Sequence, residues 1–156
     1  MNNAFTTLDY ESGALVRNGS VIAAPNIDIN SSIKSLSESN FNKYDSNGSK
    51  SSIYNIDCDF LGLRFSTGIG FIDKKCVDVI FRWKDGASEK LGYEASYEDL
   101  YKEKKLLSTA LADFFGRKAD FRGTTTFKWH FQWGIVCVSY ETKSNNCAAY
   151  INYTTP

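Results

Sequence analysis

The sequence predicts an α+β fold, in which a mainly antiparallel, curved sheet packs one of its faces against one long and one short helix. Three observations support this prediction. Several segments alternate apolar and polar residues as half-buried strands do, turn sequences separate those segments, and one long segment has apolar residues at helical spacing. Because 156 residues suffice for one core, we expect a single domain over residues 1–156.

The first predicted element is an N-terminal β-hairpin over residues 13–25. Two short apolar segments flank the dipeptide Asn18-Gly19. These two residue types tolerate the left-handed backbone angles that a type I′ turn requires. The spacing therefore predicts two short strands joined by a two-residue turn.

A short helix is predicted within residues 27–39, where Ile33 and Leu36 lie three positions apart. The next segment, residues 39–52, consists mostly of Ser, Asn, Lys and Gly. This composition is typical of a loop, so we expect no regular structure there.

Three strands of a meander follow, at residues 53–60, 63–67 and 76–83. In the first of them, apolar side chains alternate with Asn55, Asp57 and Asp59. The dipeptides Leu61-Gly62 and Asp73-Lys74 are the predicted turns, and Gly68 and Gly70 are expected to weaken the end of the second strand. Residues 85–95 are predicted to be a connecting loop.

The long helix is predicted to begin after Ser96, with Asp99 completing a capping box, and to end at Gly116. An apolar stripe should cover the sheet, with Leu100, Leu107, Leu111 and Phe114 at its centre and Leu106, Ala110 and Phe115 widening it. The charged residues are expected on the solvated side of the helix: Glu98, Lys102, Glu103, Lys104 and Lys105.

Residues 124–153 are predicted to form a C-terminal hairpin. Phe127, Trp129, Phe131 and Trp133 alternate with polar residues, whereas beyond Gly134 the bulky side chains stand at even positions. We interpret this change as a bulge or sharp bend at the glycine, which would leave Trp133 partly exposed. A polar turn at residues 142–146 then leads to a return strand, residues 147–153.

The composition disfavours several classes of function. Lys plus Arg and Asp plus Glu both number 18, so the chain lacks the positive field of a nucleic-acid binder or of a protein that binds anionic membranes. The start MNNAFTTLDYE has no basic segment followed by an apolar one, so we expect no signal peptide. The four cysteines show no C-x-x-C spacing, which favours reduced core residues in a cytoplasmic protein.

No pattern in the sequence indicates catalysis, a metal site or a cofactor. His130 is the one histidine, and its strand neighbours Lys128 and Gln132 could neither form a catalytic triad with it nor complete a metal shell. Asp57 and Asp59 have a spacing that could hold a cation or serve as an acid–base pair, but alternating surface acids are common and explain it more simply. We therefore expect a non-enzymatic protein.

The candidate binding residues lie on the polar face of the predicted sheet, which carries both positively and negatively charged side chains. An ordinary solvated face and a surface that binds a partner are both compatible with this pattern. The residues proposed for partner binding are Asp57, Asp59, Arg64, Asp78, Arg82, Lys128, His130 and Gln132, with Trp133 as a large anchor at the margin.

Both ends of the chain resemble small bacterial immunity proteins encoded beside polymorphic or contact-dependent toxins. The resemblance lies in the opening hairpin LVRNGSVI and in the closing segment WGIVCVSYETKS with its return strand AYINY. It implies a cytoplasmic, non-enzymatic α+β protein that binds and neutralises one cognate toxin. Inhibitors of nuclease toxins are usually acidic, so the neutral charge disfavours a nuclease as the partner.

A second hypothesis is a small-molecule-binding protein or enzyme. A curved sheet that grips a helix can enclose a cavity. The aromatic residues that would line it are Trp83, Trp129 and Trp133.

Overall fold

The computed structural model of the chain describes residues 5–35, 42–45 and 51–153. Its strands are β1 Thr6–Asp9, β2 Ala14–Arg17, β3 Ser20–Ala23, β4 Asn42–Asp45, β5 Ser51–Phe60, β6 Leu63–Ile72, β7 Lys75–Trp83, β8 Phe121–Arg122, β9 Thr126–Phe131, β10 Gly134–Glu141 and β11 Asn146–Asn152. Its helices are α1 Ile29–Ser35, α2 Ala87–Leu91 and α3 Tyr97–Phe115, and a 3₁₀ turn, Gly92–Glu94, follows α2.

The strands form two antiparallel sheets. The small sheet has the order β1-β2-β3, and the large sheet has the order β4-β5-β6-β7-β11-β10-β9-β8. Strand β11 lies between β7 and β10, so it joins the meander β5-β6-β7 to the C-terminal strands. The predicted α+β class, with mainly antiparallel strands and one long and one short helix, is confirmed.

Three predicted two-residue turns are confirmed by their backbone angles. Both central residues of each turn have positive φ, as a type I′ hairpin turn requires. The values are 51° and 81° at Asn18 and Gly19, 59° and 73° at Leu61 and Gly62, and 49° and 67° at Asp73 and Lys74. Strand β6 nevertheless continues through Gly68 and Gly70 to Ile72, because β5 and β7 pair with it on both sides.

Helix α3 begins and ends where the sequence predicts. Ser96 accepts a hydrogen bond from the Asp99 backbone, and the Asp99 side chain accepts one from the Ser96 backbone, which completes the capping box. Gly116 ends the helix in the left-handed conformation, with φ of 69°. Leu100, Leu107 and Leu111 are buried against the large sheet.

The prediction that residues 85–95 form a loop is wrong, and so is part of the predicted solvated side of α3. Helix α2 lies in this segment and covers Glu103, whose carboxylate accepts hydrogen bonds from the Ser88 backbone at 2.9 Å and from its hydroxyl at 3.0 Å. Burial raises the pKa of Glu103. Lys104 is buried as well, whereas Leu106 is 41% exposed and does not widen the apolar stripe.

The predicted loop over residues 39–52 is also wrong in part. Residues 42–45 form β4, an edge strand of the large sheet, and β5 already begins at Ser51. Polar residues suffice for such an edge because the pairing partner supplies the hydrogen bonds. Residues 36–41, which include Leu36 of the predicted short helix, and residues 46–50 lie outside the described residues.

One hydrophobic core joins both sheets and α3. Leu8, Leu15 and Ile22 of the small sheet belong to the same buried cluster as the inner face of the large sheet. Strand β1, which the sequence analysis did not identify, pairs with β2 and places Tyr10 edge-on against Phe114 of α3. The small sheet and α3 therefore contribute to the same core.

The change of face at Gly134 is a chain reversal, so the prediction of one strand interrupted by a bulge or sharp bend is wrong. Strands β9 and β10 are antiparallel neighbours, with Phe131 opposite Gly134, and residues 132–133 form the tight turn. A Cβ atom at Gly134 would collide with the backbone oxygen of Asn152 on β11, which explains the glycine.

Candidate partner-binding face

All of the predicted polar residues except Gln132, which lies in the turn between β9 and β10, share one face of the large sheet. Residues that lie directly opposite each other in antiparallel strands point to the same side. Asp59 lies opposite Arg64, and Asp57 and Arg82 both lie opposite Ser66. The name polar sheet face is used here for Asn55, Asp57, Asp59, Arg64, Asp78, Arg82, Lys128 and His130.

Strands β11 and β10 connect the two halves of the polar sheet face. Asp78 lies opposite Asn152, and His130 lies opposite Ile135. Asn152 and Ile135 are themselves opposite each other, so one row of side chains crosses four strands. The ends of this row are about 14 Å apart at the usual spacing of strands.

A cleft of about 250 Å³ lies at the centre of the polar sheet face. Asp78 lines it from β7, Lys128 lines it from β9, and Tyr150 and Cys137 lie between them. Burial raises the pKa of the Asp78 carboxyl, the Cys137 thiol and the Tyr150 phenol. The cleft therefore presents an acidic group and a basic group on opposite sides of a half-buried phenol.

Sequence reasoning missed the contributions of β10 and β11 to this cleft. The signal was present, because the alternation that buries Cys147, Ala149 and Ile151 places Tyr150 and Asn152 on the other face. In β10, Cys137 and Ser139 follow the same rule, because they alternate with the buried Val136, Val138 and Tyr140.

His130 is exposed, and a side-chain pair fixes the backbone beneath it. Its backbone N–H donates to the Asp120 carboxylate at 2.7 Å, and its carbonyl accepts from Arg117 at 2.9 Å. Arg117 and Asp120 also form an ion pair, in which Nη1 of Arg117 lies 2.8 Å from both carboxylate oxygens. These hydrogen bonds lower the pKa of Asp120. They also provide partners for the backbone N–H and carbonyl of His130, on the outer edge of β9, which the two-residue strand β8 does not pair.

Asp57 and Asp59 carry surface charge and show no sign of a metal site. Asp57 forms an ion pair with Lys84 at 2.6 Å, and both side chains remain in contact with solvent. Among the described residues no three His, Cys, Asp or Glu side chains cluster as metal ligands would. None of the helices described combines the length and the apolar character that a membrane span requires.

The predicted exposure of Trp133 is wrong. Its side chain is 8% exposed and stacks on Phe131 with ring centroids 4.8 Å apart. The indole N–H donates to the Tyr10 carbonyl at 3.0 Å, and Gly13 packs against the indole ring. Gln132 is exposed in the turn beside it.

The second hypothesis, an aromatic cavity lined by three tryptophans, is not realised as predicted. Trp133 is part of the core, and Trp83 is half-buried against it. Trp129 does line a cavity, which lies between α3 and the β8–β9 segment.

The fold of this chain is similar to that of a chain in a solved structure of a protein complex. No protein-family model matches the sequence, and no curated protein matches it significantly. The structure is similar to a chain of the solved structure described as Rhs1-CT in complex with cognate immunity protein RhsI1, with a TM-score of 0.56. The similarity covers 95% of this chain and 86% of that chain at 15% sequence identity. The shared fold agrees with the resemblance to immunity-type proteins inferred from the sequence.

Proposed function

We propose that this chain is a non-enzymatic, immunity-type protein that binds and neutralises a cognate bacterial toxin. The observation that carries the proposal is the fold similarity, over 95% of the chain, to a chain of a complex that contains a cognate immunity protein. We place its action in the cytoplasm, because all four cysteines are free thiols, as is usual in a reducing compartment.

We further propose that the toxin binds the polar sheet face. The inner face of the same sheet is buried by α3 and the small sheet, whereas on the outer face Asp57 and Arg64 are exposed and Asp78 lines the cleft. An exposed sheet face offers a broad surface of fixed geometry, which suits the recognition of one particular partner.

Affinity on this face would come from a few anchors. A formal charge of zero provides no long-range attraction, so electrostatic steering would contribute little to the association rate. Tyr150 and Arg82 are half-buried on the polar sheet face, and Tyr and Arg are the residue types that most often dominate binding energy. Asp78 and Lys128, on opposite sides of Tyr150, would fix the orientation of the partner.

The proposal is tested with the product of a toxin-like neighbouring gene as the binding partner. Truncation of a dominant anchor costs about 2 kcal/mol or more, so Tyr150→Ala should weaken binding about 30-fold in isothermal titration calorimetry. The matched control is Tyr93→Ala, because Tyr93 is 83% exposed in the 3₁₀ turn and lies outside the polar sheet face. The control should bind like the unmodified protein.

Neutralisation is measured separately, by growth of cells that co-express the toxin. The unmodified chain and the Tyr93 variant should restore growth, and a double variant, Tyr150→Ala with Asp78→Arg, should not. If the unmodified chain fails to protect against any neighbouring toxin, the immunity proposal is wrong. If the double variant still binds and protects, the toxin binds another surface.

A further inference from the structure

A second cavity lies on the opposite side of the sheet, between α3 and the β8–β9 segment. Its volume is about 290 Å³, close to the lower limit of typical small-molecule sites. Tyr101, Phe127 and Trp129 line it with aromatic surface. The cavity is separate from the polar sheet face, because Phe127 and Trp129 belong to the inner side of β9.

The charged side chains that line this cavity are all basic. Lys104 and Lys105 reach it from α3, and Lys118 and Arg122 reach it from the segment that follows the helix. No Asp or Glu of the described chain lines it. Four cations around one cavity, in a chain whose formal charge is zero, form a local site of positive potential.

Lys104 is the central cation, and it is 4% exposed. Its ammonium donates to the Thr124 carbonyl at 3.0 Å and lies 4.2 Å from the centroid of the Phe127 ring. It forms no ion pair with any residue of the described chain, and burial lowers its pKa. A buried ammonium held only by carbonyl and ring contacts gains strongly from a negative charge placed beside it.

Ser108 supplies an independent indication of a ligand. It lies one helical turn after Lys104, lines the same cavity and is 5% exposed. Its buried hydroxyl has no hydrogen-bond partner among the described residues, which is a costly arrangement for a polar group. A ligand oxygen in the cavity would provide that partner.

We propose that this cavity binds a small organic anion, in which a carboxylate or phosphate group is attached to an aromatic or similarly flat apolar body. The anionic group would bind Lys104 and Ser108, with Lys118 and Arg122 at the entrance, and the flat body would pack on Phe127 and Tyr101. The volume equals that of about ten water molecules, so a bare inorganic anion or a single acidic side chain would leave most of it unfilled. This inference is independent of toxin binding by the polar sheet face.

The test measures quenching of tryptophan fluorescence, since Trp129 lines the cavity. The probes are phenyl phosphate, benzoate and adenosine monophosphate. Inorganic phosphate and phenol are the controls, because they represent the anionic part alone and the aromatic part alone. At least one organic anion should bind saturably, at least tenfold more tightly than inorganic phosphate or phenol. No saturable binding by any organic anion, or equal binding of phenol, would overturn the proposal.

Variants locate the binding. Lys104→Met should weaken it at least tenfold without loss of thermal stability, because an unbranched apolar side chain replaces an unpaired buried cation. Arg122→Gln, at an exposed position, provides a second test that does not depend on core packing and should weaken binding several-fold. Lys102→Gln, an exposed lysine of the same helix outside the cavity, is the matched control and should have no effect. Unchanged binding in both the Lys104 and Arg122 variants would refute this site.

Discussion

Replacement of Trp133 by alanine provides the sharpest test of how the C-terminal hairpin packs. The sequence pattern suggests a marginal, exposed anchor, whereas the structure buries the side chain to the same degree as a core residue. Trp133 stacks on Phe131, and the tilted Tyr153 ring packs against the indole with ring centroids 5.8 Å apart. Its indole N–H is bonded to the Tyr10 carbonyl, so it also links the hairpin to the small sheet.

The magnitude follows from burial. An aromatic side chain buries about 150 to 250 Å², which at about 25 cal/mol per Å² corresponds to about 4 to 6 kcal/mol. Alanine retains part of this contribution and the neighbours relax, so Trp133→Ala should lower the free energy of unfolding by about 3 to 5 kcal/mol. Trp133→Phe keeps the stacking but loses the N–H donor, and should cost about 1 to 2 kcal/mol.

The assay is urea denaturation combined with thermal melting. In a domain of this size, the alanine variant should melt about 6 to 20 °C below the unmodified protein. Trp129→Ala is the matched comparison, because Trp129 is fully buried and donates to the Arg117 carbonyl at 3.1 Å. A loss of less than about 1 kcal/mol for Trp133→Ala, beside a large loss for Trp129→Ala, would show that the burial reasoning is wrong.

Two further predictions concern a glycine and a buried acid. Gly13 and Gly19 both have φ of 81°, but a Cβ would lie 2.5 Å from the Trp133 ring at Gly13 and touch nothing at Gly19. Urea midpoints should therefore show about 1 to 3 kcal/mol more destabilisation for Gly13→Ala than for Gly19→Ala, and equal losses would contradict the contact. Because burial raises the pKa of Glu103 above its ordinary 4.5, the folded protein keeps this proton to higher pH than the unfolded chain. The free energy of unfolding should therefore fall as pH rises from 4.5 through the folded-state pKa. Urea denaturation at a series of pH values should show that Glu103→Gln lacks this part of the pH dependence. Identical pH profiles for the variant and the unmodified protein would contradict the raised pKa of Glu103.

Features that are determined locally could be predicted from the sequence. The turn at Asn18-Gly19 follows from two residue types that tolerate positive φ, and α3 follows from its own cap at Ser96 and its own end at Gly116. The strand alternation also placed the polar sheet face correctly. Each of these signals resides within a few neighbouring residues, so no knowledge of distant contacts was required.

Features that depend on distant partners could not be predicted in this way. The sequence pattern places Glu103 and Lys104 on the solvated side of the helix. In the structure they form hydrogen bonds with Ser88 and Thr124 and are buried. Trp133 continues the alternation of its strand by one step, although the strand has already ended at Phe131. In each case a partner far away in the sequence decides whether the side chain is exposed.

The central place of β11 affects how the chain can fold during synthesis. This strand pairs with β7 on one side and with β10 on the other, and it is made after every other described strand. A growing chain can form the meander and the β9–β10 hairpin early, but until β11 has left the ribosome both expose strand edges that the finished sheet covers. Completion of the large sheet therefore waits for the contact between Phe81 and Ala149, and the insertion of this one strand limits how soon the sheet is complete.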